Sequence, residues 1–231
     1  MLPGGRGPGR DRAGPGGAGL TPGRRPGAAV LVSGRGTNLL ALLSAATDPS
    51  YPAEVVAVAT NRASCPALAA AVQRGVVARA FPAAQFGGDV VRRDLEMSKW
   101  LRSQGASLLV LAGYDRILTE PLLTSFAGRI LNLHNSLLPA FAGTMNAVLE
   151  ALEHGVKVTG CTVHLVDAGA ADGGPIVMQA AVPVRDEDTA ETLLARIHEE
   201  EWRLLPAALA LLAEGRLLVE GRRVRILEAA S

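Results

Sequence analysis

The chain has 231 residues, 48% hydrophobic but only 3% aromatic, enough for one α/β domain whose core is built from Ala, Val, Leu and Ile. Its formal net charge of +1 excludes the broad field that recruits nucleic acid or an anionic membrane, so any anion must be gripped locally. Two cysteines far apart, Cys65 and Cys161, support neither a disulfide framework nor a thiolate zinc site and suit a reducing cytoplasm. No apolar run is long enough to span a bilayer.

Residues 1–26 are mostly Gly, Pro and Arg, with Asp11 as the one acid. Such a composition buries no core and lacks the apolar stretch of a secretory signal, so it reads as a disordered tail before one domain at 27–231. Residues 28–33 (AAVLVS) form a short apolar strand ending at Gly34-Arg35-Gly36-Thr37, and 38–46 a helix. Strand 54–60 and helix 66–74 follow, with Pro66 at a first-turn position. Then come strand 76–80, helix 90–104, strand 107–111, helix 119–127, strand 129–133 and helix 146–154. Strands 158–166 and 175–184 can pair across a Gly-rich loop. Residues 189–215 read as one long helix or two broken at Pro206, stopped by Gly215. A last strand pair is expected within 217–227, turning at Glu220-Gly221. The alternation predicts an α/β fold: a mostly parallel twisted sheet with helices on both faces. Ligands bind such sheets outside the carboxyl ends of the strands.

Gly34-Arg35-Gly36-Thr37-Asn38 lies at one such end. Two glycines let backbone N–H groups approach an anion, and the helix dipole adds to them. Thr37 or Asn38 can cap the helix and donate to a phosphate oxygen. Leu39 stands where a dinucleotide fingerprint needs its third glycine, and Thr60-Asn61-Arg62 where it needs an acid. No Walker lysine follows. A monophosphate ester fits better than NAD or ATP, against the plain alternative of a tight turn.

At the end of the fifth strand, alternation puts Asn132, His134 and Ser136 on one face. Asp172, in Asp172-Gly173-Gly174-Pro175, offers a carboxylate on the turn between two later strands. Asn, His and Asp suit acyl transfer to an amine: a donor for the oxyanion, an imidazole for the proton, a carboxylate to orient it. Three competing readings are a Ser136/His134 nucleophile pair, which lacks the G-x-S-x-G elbow, a metal site from His134, His164 and Asp172, and plain capping of strand ends.

The segments VLVSGRGTN (30–38), LAGYDRIL (111–118), LNLHNSLLPAF (131–141), GCTVHLVDAG (160–169) and ADGGPIVMQAAVPV (171–184) together resemble the phosphoribosylglycinamide formyltransferases over 28–218. The resemblance implies a Rossmann-like formyltransferase fold. It also implies transfer of the formyl group of 10-formyltetrahydrofolate, as co-substrate, to the amine of glycinamide ribonucleotide in purine biosynthesis, with no metal. It matches Asn132, His134 and Asp172 to the catalytic triad, and Gly36, Thr37 and Asn38 to the phosphate loop. Arg116, Ile117 and Leu118 match the segment whose backbone lines the folate pocket, with the loop before Asp172 bordering the pterin. Glu201 matches an acid that binds the ribose, and His164 a histidine beside the triad. The expected partners are small molecules, with no nucleic acid and no membrane, for a cytoplasmic monomer or weak homodimer.

The chain departs from the family pattern at Asn135 (usually Pro or His), Ala142 (usually Pro), Thr144-Met145-Asn146, Asp115 (usually Met or Phe), Asp89 and His198, and the 166–172 loop reads one residue long. A formyltetrahydrofolate deformylase would use the same triad with water as acceptor but normally carries a regulatory domain, for which 26 residues are too few. A methionyl-tRNA formyltransferase would need a C-terminal RNA-binding domain, and Arg222, Arg223 and Arg225 read instead as a charged edge strand. A catalytically impaired nucleotide-binding homologue is the alternative from another class.

Overall fold

The structure, a computed structural model, describes residues 25–169 and 171–229; the expected tail lies, up to residue 24, outside them. The elements run β1 (Gly27–Val32), α1 (Thr37–Ala45), β2 (Glu54–Thr60), α2 (Pro66–Gln73), β3 (Val77–Ala80), α3 (Val90–Ser103), β4 (Ala106–Leu111), α4 (Glu120–Ser125) and β5 (Ile130–His134). They continue with α5 (Ala147–Glu153), β6 (Val158–Leu165), β7 (Ile176–Pro183), α6 (Ala190–Ala213), β8 (Leu217–Glu220) and β9 (Arg223–Ile226). A short 3₁₀ turn, Ala83–Phe86, precedes α3 and was not expected from the sequence.

Seven strands make one sheet in the order β3-β2-β1-β4-β5-β6-β7, while β8 and β9 form a separate hairpin. β1 to β5 are mutually parallel; β6 and β7 are added antiparallel. The fold is the α/β class anticipated, mostly parallel with helices on both faces. After β3 the chain steps across β1 to lay down β4, so the strand order reverses there and a crevice opens beyond the carboxyl ends of β1 and β4.

β1 shows why this sequence makes a central strand. All six residues are buried, and alternate ones feed opposite faces. Ala28, Val30 and Val32 join Leu39 and Leu42 of α1 and Leu205 and Leu209 of α6 in one core. Ala29 and Leu31 join Met97 and Leu101 of α3 and Leu122 of α4 in the other.

Two local readings change. Gly36, at φ 81°, is the N-cap of α1 and no side chain caps that helix; the backbone turns in the left-handed region before Thr37, so neither Thr37 nor Asn38 stands at the capping position. α6 runs unbroken through Pro206. The missing N–H leaves the carbonyl of Trp202 without its helical donor, and the helix continues regardless. The Pro206 carbonyl accepts a 2.7 Å bond from Tyr51 Oη.

Candidate active site

β5 changes character along its length. Ile130 packs with the α3/α4 core, and Leu131 and Leu133 pack with the other. Asn132 and His134, on the Ile130 side, instead line a cavity of about 960 Å³. The antiparallel register sets His164 of β6 directly opposite Asn132. The turn between β6 and β7 then returns Asp172 over both.

The three predicted groups meet. Asn132 Nδ2 donates to Asp172 Oδ1 at 3.1 Å and contacts His164 Nε2 at 3.0 Å. His134 Nδ1 lies 3.4 Å from Asp172 Oδ2, and His164 Nε2 3.4 Å from Asp172 Oδ1. His164 Nδ1 is 3.0 Å from the Leu165 carbonyl, so Nδ1 carries the hydrogen of that contact, and Nε2 is left within reach of both the Asn132 amide and the Asp172 carboxylate. His134 Nε2 donates to the Phe141 carbonyl at 2.9 Å. Burial pushes the Asp172 carboxyl up, but the hydrogen bonds from His164 and the Gly143 N–H and the charges of both histidines outweigh it and hold the group below the usual carboxylate range.

The backbone around this cluster is unusual. Among the described residues, only Phe141 (φ 56°) and Asp172 (φ 55°) are non-glycine residues at positive φ, and both touch the His134 ring. Such conformations cost about 1–3 kcal/mol each and gather where the surroundings enforce them. The turn is also packed tightly: a Cβ at Gly174 would sit 1.8 Å from the Leu165 carbonyl oxygen.

Arg116, Ile117 and Leu118 line the same cavity as Asn132, His134 and Asp172. Ile117 is 81% exposed at its mouth. Gly36, Thr37, Asn38 and Glu201 do not line it. Thr37 instead faces a second cavity of about 1070 Å³ bordered by Tyr51, Trp202 and Pro206. The glycine loop is nevertheless joined to the cavity by one carboxylate. Asn38 Nδ2 donates to Glu201 Oε2 at 2.8 Å, and Asn135 Nδ2, on a residue that does line the cavity, donates to Glu201 Oε1. Glu201 is 1% exposed, and burial, opposed by the Asn38 hydrogen bond, raises its carboxyl to about 7.

Several contributors were not singled out from the sequence. The Phe141 carbonyl and the Gly143 N–H, 2.9 Å from Asp172 Oδ2, are backbone groups, which no residue type announces. Asn135 is legible as a departure, not as a partner of Glu201. Ser136 leaves the cluster: it is fully buried and its hydroxyl donates to the Ala140 carbonyl at 2.6 Å, which removes the serine-nucleophile reading. Among the described residues no three His, Cys, Asp or Glu side chains are placed to hold a metal ion, so the metal reading of His134, His164 and Asp172 lacks its geometry.

Comparison with known proteins bears on this cluster. A family model described as formyl transferase matches residues 27–209. The phosphoribosylglycinamide formyltransferase of Mycobacterium tuberculosis is 45% identical over 203 residues, covering 85% of this chain and 92% of that protein. The trifunctional purine biosynthetic protein adenosine-3 of Gallus gallus is 44% identical over 191 residues, 83% of this chain, which spans only 19% of that longer protein. The crystal structure of glycinamide ribonucleotide transformylase 1 from Symbiobacterium toebii superposes with a TM-score of 0.85 at 47% identity, covering 93% of this chain and all of that one. A match running from the first residue of β1 into α6, together with a bacterial relative aligned over nearly its whole length, assigns this chain to the formyl transferase family, among the phosphoribosylglycinamide formyltransferases.

Proposed function

We propose that the protein transfers the formyl group of 10-formyltetrahydrofolate to the amine of glycinamide ribonucleotide, in the cytoplasm and without a resident metal. The observation that carries this reading is the meeting of Asn132, His134 and Asp172 in one cavity with the 116–118 segment, one carboxylate away from the glycine loop. Family membership supports formyl transfer; the cavity supports a bulky co-substrate; the loop supports a small phosphate ester.

The roles follow from what each group has to offer. The first N–H groups of α1, at Thr37, Asn38 and Leu39, have no helical acceptor and suit a phosphate. The Asn38 side chain suits it less well: its amide hydrogen is given to Glu201, and its buried Oδ1 has no donor. A phosphate dianion has no hydrogen to give that oxygen, whereas a sugar hydroxyl has. Asn38 therefore joins Glu201 at the ribose, and the phosphate is left to the backbone.

At the other end the amine attacks the formyl carbon, and the carbonyl electron pair moves onto oxygen. Substrate entry exchanges internal partners for that oxygen: Asn132 turns an amide hydrogen away from Asp172 or His164, and His134 turns a ring N–H away from Phe141 or Asp172. Ionised Asp172 holds a water that takes the amine proton and returns it to the folate nitrogen as the carbon–nitrogen bond breaks.

The test is formyl transfer by purified protein, with the nucleotide and water as competing acceptors. Formylated nucleotide is expected, with a loss of at least about a hundredfold in His134→Ala. Formate without formylated nucleotide would instead favour the deformylase reaction.

A further inference from the structure

The carboxyl ends of β1, β2 and β4 are tied together by a polar cluster that none of the proposed roles uses. Its centre is Asp115, which lines the cavity beside Arg116. The Asp115 N–H donates to Ser33 Oγ at 3.0 Å, and the Ser33 N–H donates to the Gly113 carbonyl at 3.0 Å. The single hydroxyl proton of Ser33 is shared between Asn61 Oδ1 at 2.6 Å and Asp115 Oδ1 at 3.0 Å. Asn61 Nδ2 donates to the same carboxylate oxygen at 2.8 Å. The guanidinium of Arg62 pairs with the other oxygen, and Arg116 Nε lies 3.6 Å from Oδ1. Ser33 and Asn61 are 4% and 9% exposed, so the neutral half of the network is desolvated, while the guanidinium groups of Arg62 and Arg116 meet the carboxylate from the solvent side.

Its placement gives it consequence. Ser33 immediately precedes the glycine loop, and Asp115 immediately precedes the 116–118 segment. The two segments leave neighbouring strands at the point where the strand order reverses, and nothing covalent fixes their separation. We propose that Asp115 is a positioning residue that sets the spacing between the seat of the nucleotide and the seat of the folate. One carboxylate thereby bears on the seats of both substrates, although it borders only the cavity proposed for the folate. The inference rests on the formyl-transfer reading above and deepens it.

The hydrogen-bonding pattern makes the effect graded. Asparagine at position 115 keeps an oxygen for Ser33 and Asn61 but cannot form ion pairs with Arg62 and Arg116. Alanine loses every side-chain contact. The Arg62→Ala variant removes only one exposed partner, since the Arg62 side chain is 54% exposed.

The experiment is steady-state kinetics with both substrates varied, run after transfer by the unaltered protein has been established, so that an inactive starting protein counts against the function and not against this inference. Asp115→Ala is expected to raise both KM values by about tenfold, the loss of one to two hydrogen bonds' worth of preorganisation, with kcat within about threefold. Asp115→Asn is expected to recover most of that loss, and Arg62→Ala to raise both KM values by about twofold to threefold. A KM change for one substrate alone, or a fall in kcat at unchanged KM, overturns the proposal. Should Asp115→Ala fail to fold, unchanged KM values for both substrates in Arg62→Ala overturn it equally.

Discussion

His134 is held from two sides by residues in sparsely populated backbone conformations, Phe141 through its carbonyl and Asp172 through its carboxylate. A ring so held lines the cavity in one orientation and has to exchange only one partner when substrate enters. Ser136, two residues on, has its hydroxyl committed to the Ala140 carbonyl. Ser136→Ala should therefore keep kcat within a few-fold, in a rate assay alongside the inactive His134→Ala. Glu201 makes a pH prediction. Its carboxyl is raised from 4.5 to about 7, so between those values the unfolded chain ionises it and the folded chain does not. The group's contribution to stability is fully present below pH 4.5 and is lost as pH rises to about 7. Calorimetry of the free protein should show Tm falling across that window, with a flatter curve in Glu201→Gln; parallel curves would mean that Glu201 is not the titrating group.

At the scale of elements, the glycine turn is demanding at Gly36 and undemanding at Gly34. Gly36 sits at φ 81°, and a Cβ there would lie 2.6 Å from Ala67 Cβ on α2, whereas a Cβ at Gly34 meets nothing within 4 Å. Gly36→Ala should cost about 2–4 kcal/mol, from the left-handed backbone and the overpacking against α2, and lower Tm by roughly 5–15 °C. Gly34→Ala is expected to leave Tm nearly unchanged but to weaken nucleotide binding, because the open side of Gly34 is where an anion would approach. Thermal melts paired with binding measurements separate the two effects.

On the scale of the whole molecule, each face of the sheet buries a carboxylate, but with different partners. Between α1 and α6 Glu201 accepts from the Asn38 amide, whereas the α3/α4 face contains a buried ion pair, Arg93 and Asp94, at 2% and 0% exposure. Asp94 Oδ2 also accepts from the Thr119 N–H at 2.9 Å and from its hydroxyl at 2.8 Å, anchoring the chain just after Leu118. Asp94→Ala leaves a guanidinium buried without its partner, so a loss of about 3–5 kcal/mol is expected by denaturant unfolding, larger than for most core truncations of similar size.

The sequence alone determined the sheet and singled out the groups proposed to react. Continuous apolar runs such as 28–32 have no stable place except buried on both faces, and Asn132, His134 and Asp172 are recognisable because amide, imidazole and carboxylate are few and chemically distinctive. It also placed the hairpin at 217–227 from its turn residues. Whether Pro206 would break α6 was decided by packing, since the proline is buried in the intact helix and its carbonyl accepts from Tyr51. Tertiary structure likewise decided the partners: Asn38 could as well cap a helix as reach Glu201, and only the docking of α6 against α1 selects between them. The role of Phe141 lies in the direction of its carbonyl, and those of Gly143 and Asp115 in contacts about 30 and 80 residues away along the chain. Local periodicity carries no record of such distances, because they are fixed by which strands become neighbours.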